Sequence, residues 1–202
     1  MQFPEKIVMV LIGIRVTSIF LGNNFYFYFI VRPRIYSFLR KALDYRYPGK
    51  NPKYKERDKK DVGFIKAKYN ERGQLLRQGV VDCSHFNYEV TGTGHTTAPN
   101  RYKEVPSEYK GELLYKGNLT IRLCVGMELY SEDLGHTGIV CYEDLGNGYE
   151  WCVAQSTSEV ITDARAYFAD DKHRRPNITS LETFSGNSNW HYYTVPRYMI
   201  DR

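Results

Sequence analysis

The chain has 202 residues, 42% hydrophobic and 25% charged, which is ordinary for a globular protein and enough for one domain with a real core plus an extension. Its four cysteines (Cys83, Cys124, Cys141, Cys152) show no close-pair spacing, which argues against a disulfide framework and against a zinc knuckle. The net charge of +5 is uneven: residues 32–60 hold eleven Lys and Arg against Asp44, Glu56 and Asp58, an excess of eight, so the rest of the chain sums to −3.

Residues 7–31 are largely apolar, interrupted by Arg15 and by Gly22-Asn23-Asn24. No part of the stretch reaches the ~18–20 clean apolar residues of a membrane span. Lys6 alone makes a weak basic start for an export signal. The stretch therefore reads either as a membrane-associated segment or as two β-strands or a buried helix packed on the main domain. The basic segment 32–60 reads as solvated surface, with attraction to an anionic polymer as the second reading. No nucleic-acid partner is expected. The turn-rich, charged run Tyr47–Lys60 has the composition of a linker. It divides an N-terminal extension, residues 1–60, from a main domain, residues 61–202.

From Asp61 onward, Phe64-Ile65, Ala67-Lys68-Tyr69 and Leu75-Leu76 predict a short helix broken at Gly73. Gly79-Val80-Val81-Asp82 runs into Cys83, and Ser84–Val90 reads as a helix ended by Thr91-Gly92-Thr93-Gly94. A thiol at a helix amino terminus meets unsatisfied N–H groups and the positive end of the dipole, which favour the thiolate. Those N–H groups also serve an oxyanion during acyl transfer. The other three cysteines sit in apolar strand-like runs and read as small buried hydrophobes.

His95–Tyr102 reads as loop and Val125–Tyr130 as a strand after a turn. Thr137–Tyr142 and Tyr149–Gln155 read as two strands joined across Glu143–Gly148, with Asn147-Gly148 as the hairpin signal. Symmetric pairing about that turn sets Tyr142 opposite Tyr149 and His136 opposite Gln155, side by side on one face. The glutamine carbonyl then accepts the imidazole N–H and leaves the other ring nitrogen toward a thiol. His85 lies about 200° round the helix from Cys83 and cannot serve as its base, so it reads as a surface or groove residue. A zinc site from Cys83, His136 and Cys152 lacks a fourth ligand. The carboxy-terminal part, from Arg165 through Asn177-Ile178-Thr179 and Trp190–Val195, reads as a loop and a closing strand without chemistry.

Six pieces in this order resemble the NlpC-type (NlpC/p-sixty) cysteine peptidases: Asp82-Cys83-Ser84, Thr96-Thr97-Ala98, Val125–Tyr130, Gly135-His136-Thr137-Gly138-Ile139-Val140, Gly146-Asn147-Gly148 and Val153-Ala154-Gln155-Ser156. The resemblance covers residues 61–165, about half the chain. It implies an α+β, papain-like fold with the nucleophile helix packed on an antiparallel β-sheet. It also implies hydrolysis of amide bonds in peptidoglycan stem peptides, with no cofactor and no metal. By position Cys83 is the nucleophile, His136 the general base and acid, and Gln155 the orienting residue. Asp82, Ser84, His85 and Tyr69 are the substrate-side candidates.

The chain departs from the family pattern in four places. His85 stands for a glycine, Gln155 for the commoner histidine and Met127-Glu128 for Asp-Leu. The aromatic–glycine segment usual before the cysteine is missing, with Tyr69 the nearest candidate for its tyrosine. Amidases of the CHAP or antibacterial-effector type share the layout, and a catalytically silent binding component, for example of a phage, is the non-enzymatic alternative. A secreted, cell-envelope or phage-associated setting is expected, and membrane association through residues 7–31 stays open.

Overall fold

A computed structural model of the chain describes residues 25–41, 45–46, 64–92, 96–115, 118–156, 176–181 and 190–195. A π-helical turn, Phe27–Val31, leads into α1, Arg32–Arg40. Then come β1 (Tyr45–Arg46), β2 (Phe64–Ile65), β3 (Lys68–Tyr69), β4 (Leu75–Arg77), β5 (Gly79–Val81), α2 (Cys83–Thr91) and α3 (Ala98–Glu104). They are followed by β6 (Lys110–Glu112), β7 (Leu114–Tyr115), β8 (Asn118–Leu119), β9 (Glu128–Ser131), β10 (Thr137–Asp144), β11 (Tyr149–Ser156), β12 (Pro176–Ser180) and β13 (Trp190–Thr194). The fold is a mixed α+β arrangement. Its main sheet has six strands in the order β12-β11-β10-β9-β13-β6, every neighbour antiparallel.

That sheet is covered on both faces, as the runs of buried residues in β10 and β11 require. Ile139 and Cys141 of β10, with Cys152 and Ala154 of β11, join Phe86 and Val90 of α2 in one core. Val140 and Val153, on the other face, join Leu113, Leu123, Met127, Leu129 and Trp190 in a second. With both faces buried, the two strands lose the apolar–polar alternation of a one-sided sheet. A buried ion pair braces the second layer. Arg101 of α3 reaches Glu128 of β9, and Tyr130 Oη donates to the same carboxylate at 2.6 Å. Such a pair holds α3 in place at a high desolvation cost.

The first helix packs against the core, while residues 7–24 of the apolar stretch lie outside the described residues. Phe27, Val31, Ile35 and Leu39, four residues apart, form one stripe in the same core as α2 and the sheet. Arg32 departs from the solvated reading of the basic segment. Its Nε and Nη2 donate to the two oxygens of buried Glu143 at 2.6 and 2.7 Å, and Tyr36 Oη donates to the same carboxylate at 3.0 Å. The fork of a guanidinium matches a carboxylate in this bidentate way. Residues 47–63, which carry the expected linker and boundary, lie outside the described residues. No helix among the described residues is long and apolar enough to cross a membrane.

Three local expectations are corrected. Residues 64–77 form short strands, not a helix. Asn70 Oδ1 accepts from the backbone N–H of Arg72 and Gln74, both at 2.9 Å, and Gly73 takes φ +75°. An asparagine-capped turn with a left-handed glycine reverses the chain, so that β3 pairs with β4. β2 meanwhile pairs antiparallel with β5, with Phe64 opposite Val81. Residues 98–104 are helical, not loop, with Pro99 in the first turn where a missing N–H costs nothing. The carboxy-terminal part supplies two strands of the main sheet. β12 lines one edge on β11, and β13 lies inside, between β9 and β6.

Candidate active site

β5 delivers the chain to the amino terminus of α2. Gly79, Val80 and Val81 are all buried, and Asp82 follows with extended backbone as the N-cap. One oxygen of Asp82 accepts from the backbone N–H of His85 at 2.7 Å, from Ser84 Oγ at 2.9 Å and from His85 Nδ1 at 3.1 Å. Burial works against the ionised carboxyl, but the hydrogen bonds from His85 and Ser84 outweigh it and hold Asp82 below its ordinary value. The helix ends where the sequence expectation put it, with Gly92 in the left-handed region at φ +73°. Cys83 is thus the first helical residue, 4% exposed, at the end where the N–H groups point outward.

The histidine comes from the turn between β9 and β10. Ser131 Oγ donates to Asp133 Oδ1 at 2.6 Å and accepts from the backbone N–H of His136 at 3.0 Å, while Gly135 N–H donates to Asp133 Oδ1 at 2.8 Å. Asp133 and Ser131 therefore fix the backbone on which His136 enters β10. Cys83 reaches this turn through backbone, for its Sγ lies 4.0 Å from the carbonyl oxygen of Gly135, the residue before His136. Asp-Leu-Gly in this turn was the available sequence signal, and the sequence reading passed over it.

His136 and Gln155 lie on one face of the β10–β11 ribbon, but not directly opposite each other. Asp144 pairs with Tyr149, Tyr142 with Trp151 and Val140 with Val153, so the register sits two residues from the symmetric expectation. The connecting loop is shorter than expected, Leu145–Gly148, because Asp144 Oδ1 accepts from the N–H groups of Gly146 and Gly148 at 2.7 and 3.0 Å. A slip of two preserves the facing of every side chain, whereas a slip of one reverses it. Diagonal neighbours remain within reach of long side chains. Gln155 Oε1 accepts from His136 Nε2 at 2.6 Å.

That bond assigns the imidazole proton to Nε2 and leaves the lone pair on Nδ1. The amide is itself held, because Gln155 Nε2 donates to Thr179 Oγ1 of β12 at 2.9 Å, and both residues are buried. Behind the imidazole, the Trp190 ring of β13 stacks at 5.6 Å between centroids and 27° between planes. Burial pushes the His136 pKa below its ordinary value, against the upward pull of the Gln155 hydrogen bond and the carboxylates of Asp133 and Asp82. Burial thus favours the neutral imidazole, the form a general base needs. Gly138 makes room for the assembly, since a Cβ there would stand 2.4 Å from Val153 Cγ1 and 3.2 Å from the Trp190 ring.

Thr179 and Trp190 come from the part of the chain expected to carry no chemistry, and the sequence reading missed both. Of the substrate-side candidates, Asp82, Ser84 and His85 gather on the first turn of α2, with His85 stacked 6.1 Å from Phe64. Tyr69 packs from β3 against the first core, with Lys41 Nζ over its ring at 5.5 Å. Cys152, a member of the rival zinc reading, faces Cys141 at 3.7 Å between sulfurs on the opposite side of the ribbon from Gln155. The geometry therefore separates it from His136. Among the described residues no cluster of His, Cys, Asp or Glu has the arrangement of a metal site. Compared with known proteins, the chain matches no family model, no curated protein and no solved structure.

Proposed function

We propose that this protein is a papain-like cysteine peptidase that hydrolyses amide bonds in peptidoglycan stem peptides through Cys83, His136 and Gln155. The observation that supports the reading best is the chain of hydrogen bonds Thr179–Gln155–His136, beside the Gly135 carbonyl that Cys83 Sγ approaches to 4.0 Å. The substrate class follows from the resemblance in the residues around Cys83, His136 and Gln155, and the chemistry from their side chains.

His136 Nδ1 takes the proton of Cys83, and the thiolate attacks the scissile carbonyl carbon. N–H groups of the first turn of α2 stabilise the oxyanion, whose charge develops at the positive end of the helix. The imidazolium returns its proton to the departing amine, leaving a thioester on Cys83. A water molecule, deprotonated by His136, then releases the acid product and restores the thiol. Gln155 keeps the ring in one tautomer through the cycle. Unlike a carboxylate it adds no negative charge, so it orients the imidazolium without strongly favouring it.

Incubation with purified muropeptides, read by mass spectrometry, tests the proposal. Wild-type protein should cleave an amide bond of the stem peptide, and Cys83→Ala should retain the fold and lose cleavage. Intact muropeptides after prolonged incubation with wild-type protein would refute it. Release of the whole peptide from the glycan would instead assign the amidase reaction to the same site.

A further inference from the structure

Asn87 stands against the local rules. It lies inside α2, where asparagine is a poor helix former, and it is fully buried. Its Nδ2 donates to Thr137 Oγ1 of β10 at 3.0 Å, and Thr137 is fully buried too. Among the described residues Asn87 Oδ1 has no hydrogen-bond partner. A buried amide left half-satisfied is costly, whereas apolar side chains of the same shape on both sides of the contact would cost little. Stability alone does not explain an asparagine there.

Its position does. Asn87 follows Cys83 by four residues, one turn along the same face of α2. Thr137 follows His136 directly and opens β10. The bond therefore ties the helix that carries the sulfur to the strand that the imidazole enters, one turn from the first and one residue from the second. The chain before the sulfur is anchored in the same way. Ser156, the residue after Gln155, donates its Oγ to the carbonyl of Val81, two residues before Cys83, at 2.7 Å. Successive strand residues point to opposite faces, so Thr137 and Ser156 share the α2-covered face with Ile139 and Ala154. Each strand thus turns His136 or Gln155 to one side and the next residue back toward the cysteine segment.

We propose that Asn87 and Thr137 form a positioning pair that sets the Cys83 sulfur relative to the His136 imidazole. Neither residue touches substrate; both act through the two that do the chemistry. A helix packed only by apolar contacts keeps its place on the sheet but lacks a directional bond to fix its height along the strand, and small misplacements of reacting groups are costly in rate. The pair presupposes the cysteine–histidine chemistry proposed above, though not its peptidoglycan substrate.

Alkylation of Cys83 by iodoacetamide across pH, with Cys124 as the internal standard, reads the pair without any substrate. The double variant Asn87→Leu, Thr137→Val replaces both partners by apolar groups of similar shape, so its melting temperature should equal or exceed the wild-type value. Cys83 in that variant should nevertheless react about tenfold more slowly at neutral pH, with the midpoint of its profile raised by about one unit. Thr137→Ser keeps the hydroxyl and should retain the wild-type profile. If the double variant does not fold, Thr137→Val against Thr137→Ser makes the same comparison. A fast Cys83 whose profile is unchanged in the double variant overturns the pair and leaves the catalytic reading standing. So does a loss in Thr137→Ser as large as in Thr137→Val, because the hydroxyl would then not be the cause. A Cys83 that reacts no faster than Cys124 in the wild-type protein overturns the cysteine–histidine chemistry, and the pair with it.

Discussion

The β10–β11 ribbon carries two side-chain pairs, one on each face, in different surroundings. On the helix-covered face Cys141 and Cys152 stand directly opposite each other, sulfur to sulfur at 3.7 Å, both buried. Burial, foremost, pushes the Cys141 thiol well above its ordinary value. On the other face His136 and Gln155 sit at the end of the ribbon, joined by a hydrogen bond and backed by Thr179 and Trp190. The same two strands thus hold facing thiols in the core and a hydrogen-bonded imidazole at their end. The two pairs differ in residue type and in polar partners, the thiols facing each other and the imidazole held by an amide that Thr179 anchors.

The comparison breaks most visibly at the cysteines. Cys83→Ala should lower turnover of muropeptides on the order of a thousandfold or more, the loss expected for a nucleophile. Cys141→Ala and Cys152→Ala should leave kcat within about twofold and show only in thermal melts, as core truncations do. Equal losses at all three positions would erase the distinction between the faces. Next in size, Gln155→Ala should cost about a hundredfold in kcat with KM little changed, since a misplaced ring is costly in rate. Wild-type kcat in that variant would mean that the amide does not orient the ring.

Smaller effects probe the support. Gly138→Ala should destabilise the protein by about 1–3 kcal/mol, measured by denaturant unfolding, because its methyl group overlaps Val153 on the ribbon's site face. Thr179→Val removes the acceptor of the Gln155 amide and should lower kcat by about tenfold, the worth of one buried hydrogen bond. The smallest signal is a titration. Followed by NMR in the Cys83→Ala protein, His136 should have a midpoint below 6.5, because its buried ring disfavours the charged form. Gln155→Ala and Asp133→Asn should each move the midpoint lower still, since both groups pull it upward. A midpoint above 6.5 would contradict the burial argument.

What the sequence disclosed was local. Asp82, Cys83 and Gly92 marked both ends of α2, because cap and stop signals act within a few residues. His136 and Gln155 were legible as one face of a hairpin even though the register came out two residues away, for facing depends only on parity. Thr179 and Trp190 were not legible. They reach the site through strands far along the chain from His136, and nothing local announces which strands will neighbour which. The strands at 64–77 were misread as a helix because short apolar runs fit both periods, and the Asn70 turn decides between them only through its hydrogen bonds. The Arg32–Glu143 pair was hidden for the same reason of distance: nothing near Arg32 in sequence betrays a buried carboxylate waiting across the fold.

Alkylation of the four thiols by iodoacetamide as a function of pH, resolved by peptide mass, tests the central claim most directly. Cys83 should react fastest at neutral pH, and His136→Ala or Gln155→Ala should slow it while leaving Cys124 unchanged. Cys83 reacting no faster than Cys124, and indifferent to the loss of His136, would contradict the account.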